Sequence, residues 1–377
     1  MKYDGAALMR QKEGLLPLWV ADMDFPVPDS VTKALETKIR HGIYGYGLLE
    51  NSYFDAVTGW FRRNFDTEYK REWIVNTPGV VFALSQAVRA FTDPGDSILI
   101  NRPVYYPFSS SIEDNGRRLV NSPLIQKEGA WKMDPEDIEK KIIENHIKMY
   151  IVCSPHNPVG RVWSREELEM IAEICEKHDV LVVSDEIHCD FIWPGSHFTP
   201  FHEAASGRKL RYLICTAPSK TFNLAGLQVS NIIIPDTGTR RRFRSEVNAG
   251  GFHQINVMGA AACEAAYNGG REWLNGLRSY IWENIEYTDH YLKEHLPQVR
   301  FSRPEGTYLL WLDMSSLDMT AEELDRLMVD QAGLWLDGGS MFGPEGDAFQ
   351  RLNAACHRST LEKALKQMKE AVHHTGR

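Results

Sequence analysis

The stretch that most constrains this chain is residues 212–227, YLICTAPSKTFNLAGL. An apolar run over 212–215 closes in Thr216, Ala217, Pro218 and Ser219, and Lys220 follows. A short apolar run bounded by turn residues predicts a buried strand. Such a strand delivers Lys220 to the mouth of a sheet rather than to its solvated flank. A partly buried lysine with cationic or dipolar neighbours has a lowered pKa, and its free amine is suited to forming a Schiff base. A lone lysine after a strand is most often a solvated surface residue. The case for Lys220 therefore rests on partners elsewhere in the chain.

Those partners come at the ends of further predicted strands. Residues 96–101 (DSILIN), 149–154 (MYIVCS), 180–184 (VLVVS) and 229–234 read as strands. Residues 73–91 read as a short strand passing into a helix that begins near Gly79. A helix N-terminus offers free amides and a positive dipole end to a phosphate, and a glycine there admits the ligand to the backbone. The strand over 180–184 ends in Asp185-Glu186-Ile187-His188. One strand end offers too few ligands for a metal, so no metal site is expected. Asp185 is instead placed to pair with a pyridinium nitrogen, which keeps that ring an electron sink. Arg351, in RLN of the last predicted strand, carries the planar fork that suits a carboxylate.

Helical patterns cover 31–41, 53–65, 165–178, 254–268 and 272–296. The first has Asp29 or Ser30 as its N-cap. The third opens on a capping box of Ser164 and Glu167. Prolines 17, 26 and 28 make residues 15–28 an extended arm. After residue 296 the pattern changes to strands at 306–312, 333–336 and on both sides of DGGSMFGPEG, with helices at 321–332 and 360–372.

SKTFNLAGL, together with WVADMDFP (19–26), YGYG (44–47), PVYYPF (103–108), NPVG (157–160) and RLN (351–353), closely resembles the fold-type I pyridoxal-phosphate enzymes. Within the class I/II aminotransferase superfamily the match is to the MalY/PatB group of C–S lyases, and it runs over nearly the whole chain. The resemblance implies an α/β, three-layer PLP-dependent transferase fold, with a mostly parallel central sheet and helices on both faces. It implies a large cofactor-binding domain over 47–280. A smaller α+β domain comes from both termini, 1–46 and 281–377.

The same resemblance distributes the roles. Lys220 carries pyridoxal 5'-phosphate and later acts as the base. Asp185 meets the ring nitrogen, Tyr105 stacks on the ring, and His188 orients Asp185 or packs beside it. Asn157 donates to the ring's phenolate oxygen and borders the substrate. Gly79, Val80 and Val81 cradle the phosphate, with hydroxyls from Ser219 and Thr216. Tyr46, with Tyr44 in reserve, reaches the phosphate of a neighbouring subunit, so a homodimer with shared sites is expected. Arg351 clamps the substrate's α-carboxylate, and Ala21 and Asp22 of the arm line the substrate pocket. Two positions depart from the family pattern. Gln228 stands where a basic or polar residue often lies, so an arginine phosphate clamp is missing there, and His357 replaces proline in ACHR.

The implied activity is a cysteine-S-conjugate β-lyase of the cystathionine beta-lyase type, releasing a thiol, pyruvate and ammonia. An amino-acid aminotransferase shares the same residues and is the alternative. A PLP-binding regulator acting through a protein partner is the second alternative. A formal charge of −9 with no basic arm argues against nucleic acid. No run of eighteen apolar residues suggests a membrane span. Six cysteines without metal-like spacing read as reduced buried thiols of a cytoplasmic protein.

Overall fold

The computed structural model describes residues 1–127 and 130–374. Seven strands form the central sheet: β1 (Ile74–Thr77), β2 (Ser97–Ile100), β3 (Arg118–Asn121), β4 (Met149–Cys153), β5 (Leu181–Asp185), β6 (Tyr212–Thr216) and β7 (Ser230–Ile233). Their spatial order is β1-β7-β6-β5-β4-β2-β3. Only β7 runs against its neighbours, and the other pairings are parallel.

The inner strands β2, β4, β5 and β6 are apolar at most positions because both faces are covered. Side chains alternate between two separate apolar layers, as a period of two requires. Met149, Ile151 and Cys153 pack into one layer with the helix Val80–Phe91, and Tyr150 and Val152 pack into the other with Leu168 and Ile171. Leu181 and Val183 likewise oppose Val182. This is the expected three-layer α/β arrangement.

A second sheet has four antiparallel strands, β8 (Arg300–Phe301), β9 (Leu309–Asp313), β10 (Asp337–Gly338) and β11 (Phe349–Asn353), in the order β8-β9-β11-β10. The 25-residue helix Arg271–His295 precedes it. The N-terminal arm joins this part of the molecule. Leu16–Pro17 pairs in parallel with Leu334–Trp335, and Trp19 stacks on Trp335 with centroids 4.3 Å apart. Such a ring pair contributes about 1 kcal/mol beyond its buried area.

Most predicted elements lie within a few residues of the observed ones, and the capping box of Ser164 and Glu167 is formed as expected. The first long helix differs: it spans Asp29–His41 behind Pro28, with no side-chain cap. Ser30 is instead packed against the helix Val257–Gly269, where a Cβ on Gly269 would lie 2.8 Å from the Ser30 Cβ. The strand predicted from 306 starts at Leu309, because Thr307 has φ +66° and interrupts extended backbone. The helix predicted over 321–332 is α-helical for Ala321–Arg326 and continues as a π turn over Leu327–Gln331. All six cysteines are buried and unpaired. Among the described residues no helix is long and apolar enough to cross a membrane.

Candidate active site

The parallel strands β1, β2, β4, β5 and β6 all end at one side of the sheet, and the chain leaving each of them contributes to one cavity. That is the edge at which open α/β sheets bind ligands. The cavity holds about 370 Å³. Beyond β6, Ala217 stays extended and Pro218 opens a single helical turn, Pro218–Thr221. Proline is preorganised for that first helical position. Lys220 therefore projects from a short helix, one turn beyond the strand end.

The Lys220 amine donates to the Ala21 carbonyl at 3.1 Å. Burial holds its pKa below the ordinary lysine value; the charge of Asp22 opposes this, Arg351 adds to it and Asp185 opposes it. Asp185, the last residue of β5, is 3 % exposed and accepts from the Ile187 amide at 3.2 Å. Burial pushes its carboxyl up to about 7, against the pull of the Ile187 amide and of Lys220. His188 is pushed down to about 3 by burial, then by Lys220 and Arg351, so its ring is neutral. Burial also raises the Tyr105 hydroxyl well above its usual range.

Arg351 lies in the middle of β11 and is buried. Its Nη1 donates to Asn157 Oδ1 at 3.1 Å, and its Nη2 donates to the Trp19 carbonyl at 2.9 Å and to the Asp337 carboxylate. The guanidinium also lies 4.9 Å over the Phe342 ring. With Asn157 Oδ1 turned to Arg351, its Nδ2 is left as a donor.

Of the residues predicted for the site, Gly79, Val80, Val81 and Tyr105 line the cavity. So do Asn157, Asp185, His188, Ser219, Lys220, Arg351 and Ala21. Thr216, Asp22, Tyr46 and its reserve Tyr44 lie outside it. The Thr216 hydroxyl is buried and donates to the Asn231 carbonyl at 2.7 Å, a cross-strand bond of the sheet. Asp22 belongs to the arm but does not line the cavity; its main-chain carbonyl accepts from Asn353 and Lys2, and its charge still reaches Lys220. Tyr46 is fully exposed and Tyr44 largely so.

Sequence reasoning did not find Asp337 or Tyr308. Asp337 pairs with Arg351 across adjacent strands, and Tyr308 donates to the same Ala21 carbonyl that receives Lys220. Neither has a local motif, because each acts through a contact made only in the folded chain.

The donor set fits a phosphorylated pyridinium aldehyde. The helix Val80–Phe91 begins at the cavity wall, Gly79 caps it in extended conformation, and a Cβ there would meet nothing within 4 Å. A phosphate is accommodated at such a start. The His188 Nδ1 and Arg351 Nε atoms are buried without a hydrogen-bond partner, and buried polar atoms ordinarily have one.

The family model for aminotransferase class I and II matches residues 14–368. The chain belongs to that family. It is 41 % identical over 372 residues to the cystathionine beta-lyase PatB of Bacillus subtilis, covering 99 % of this chain and 96 % of that one. It is 32 % identical over 360 residues to the protein MalY of Escherichia coli, covering 95 % and 92 %. Among solved structures, cystalysin of Treponema denticola, which contains a pyridoxal 5'-phosphate cofactor, superimposes with a TM-score of 0.95 at 34 % identity. That superposition covers 100 % of this family member and 96 % of cystalysin.

Proposed function

We propose that this cavity is the active site of a pyridoxal-phosphate-dependent carbon–sulfur β-lyase, which takes cystathionine or a related L-cysteine S-conjugate and water to a thiol, pyruvate and ammonia. One observation carries the reading. Lys220, Asp185, Asn157 and Arg351 come from four separate strands or their trailing loops and converge on one cavity. The kinship with PatB and cystalysin supports the lyase branch of the family.

When bound, pyridoxal phosphate supplies the electron sink that stores the pair left at the substrate Cα. The chain's own groups do the rest. Lys220 is the covalent anchor, and its lowered pKa makes the amine a readier acceptor of the α-proton than an ordinary lysine. Asp185 sits where a ring nitrogen needs a partner, and a carboxyl titrating near 7 shares a proton with such a nitrogen readily. Asn157 fixes Arg351 with its carbonyl and keeps Nδ2 for the ring's oxygen. Arg351 holds the α-carboxylate. Val80, Val81 and Ser219 would border the phosphate, and Tyr105 would cover the ring. The pair left at Cα becomes a Cα=Cβ bond as the Cβ–S bond breaks with its electrons on sulfur; the departing thiolate takes up a proton, and water converts the released enamine to pyruvate and ammonia.

Tyr46 is fully exposed in its own subunit. Ile39, Ile43, Tyr44, Tyr46 and Leu48 form an exposed apolar run, and a contiguous exposed apolar patch marks an interaction surface. This supports a homodimer in which Tyr46 reaches the partner's phosphate site. The activity itself is tested by product analysis on L-cystathionine without any keto acid. The lyase reading expects stoichiometric pyruvate and thiol, and strict dependence on a keto-acid acceptor overturns it.

A further inference from the structure

Arg351 and Asp337 occupy directly opposed positions on β11 and β10. Both are about 2 % exposed. Their ion pair is sealed on one side by the Phe342 ring and on another by the arm at Trp19. A guanidinium offers a carboxylate two forks of parallel N–H bonds, one built from Nε and Nη2 and the other from Nη1 and Nη2. Both include Nη2. In this chain Nη2 already serves two acceptors, the Asp337 carboxylate and the Trp19 carbonyl. Nη1 serves Asn157, and Nε alone is unpartnered. A substrate carboxylate that takes Arg351 in two-pronged fashion must therefore displace one of the Nη2 acceptors.

We propose that Asp337 is the resident counter-ion of the substrate clamp, a positioning residue whose carboxylate competes with the substrate's for Arg351 and so sets how tightly amino acids bind. The inference rests on the reading of Arg351 as the α-carboxylate clamp. Its physical basis is the cost of leaving a buried cation alone. Without Asp337 the guanidinium would be unpaired in a desolvated pocket until substrate arrived, whereas with it the incoming anion meets a half-neutralised partner and a like charge. Burial raises the hydroxyls of Tyr105 and Tyr106, and that charge, reaching over the cavity, adds to the rise at both. Asp337 thus trades substrate affinity for a stable, preset clamp.

The test is calorimetric titration of the holoenzyme with L-alanine, which has no leaving group, and with L-alaninamide, which has no carboxylate. Asp337→Asn keeps the shape and the acceptor and removes the charge. The expected result is binding of L-alanine about tenfold tighter than wild type, with no gain for L-alaninamide. Equal or weaker binding of L-alanine by a folded Asp337→Asn overturns the proposal, because a purely structural role would weaken both ligands together. Asp337→Ser gives the same contrast if the asparagine variant does not fold. If neither folds, wild-type protein labelled with [13C]carboxyl aspartate answers it. L-Alanine, and not L-alaninamide, should then move a buried aspartate resonance, and no difference between the two overturns the proposal. Arg351→Gln separates the underlying reading: it should abolish the preference for L-alanine over L-alaninamide. If that preference survives, the clamp assignment itself is what fails.

Discussion

Asp185→Asn separates the stability of the empty pocket from its chemistry. In the cofactor-free protein the Asp185 carboxyl titrates near 7 instead of its ordinary 3.8, chiefly through burial. At about 1.4 kcal/mol for each tenfold change in proton affinity, that difference corresponds to about 4 kcal/mol at pH values above 7. The folded state binds this proton more tightly than the unfolded chain does. Its stabilising contribution is therefore complete below pH 3.8 and is lost as pH rises through 7. Asparagine imitates the protonated carboxyl at every pH and keeps an acceptor for the Ile187 amide. Wild type and Asp185→Asn, both stripped of cofactor, should melt alike near pH 4, and the variant should melt several degrees higher at pH 8. Asp190, raised to about 6, titrates in both proteins and cancels in the comparison, whereas Glu186, raised to about 8 chiefly by burial and in part by the Asp185 charge, is relieved of that part in the variant, which adds to the gain at pH 8. Differential scanning calorimetry at the two pH values reads the effect directly. Reconstituted with cofactor, the variant loses the partner for the ring nitrogen, and turnover should fall by about 100-fold or more. A variant no more stable than wild type at pH 8, or one equally displaced at both pH values, refutes the reasoning.

Two further outcomes follow from other parts of the molecule. Ser164→Ala removes one half of the capping box at the start of the helix Arg165–Lys177, and should lower stability by about 1 kcal/mol in denaturant titration while leaving turnover intact, since Ser164 is remote from the cavity. If sites are shared, co-expressed Tyr46→Ala and Lys220→Ala subunits should form mixed dimers with one intact site each. Such preparations should regain activity that neither variant has alone, and a persistent lack of activity in isolated mixed dimers would count against shared sites.

Much of the candidate site was legible because it is written at strand ends. Lys220, Asp185 and Asn157 each follow an apolar run of four or five residues and Gly79 a shorter one over 73–75, and that pattern fixes both the strand and the side of the sheet where its loop emerges. Arg351 was legible from RLN, but its surroundings were not. Asp337 lies fourteen residues earlier in a segment that reads as an ordinary turn, and only the register of β10 on β11 brings the two charges together. Thr216 shows the converse. Its place beside Ser219 suggested a phosphate contact, yet the alternation of the strand turns its hydroxyl to the neighbouring strand. The helix Pro135–Asn145 carried a readable start that was not used, Asp134 as cap with Pro135 at the first position. The π turn at Leu327–Gln331 has no local sequence signal; it packs against the terminal helix Arg358–His374.

The account depends most directly on which amine carries the cofactor. Borohydride reduction of the protein reconstituted with pyridoxal 5'-phosphate, followed by proteolysis and mass spectrometry, locates the bond. The expected result is a single pyridoxyl adduct on Lys220, in the peptide that contains SKTFNLAGL. An adduct on another lysine, or none at all, would contradict the account.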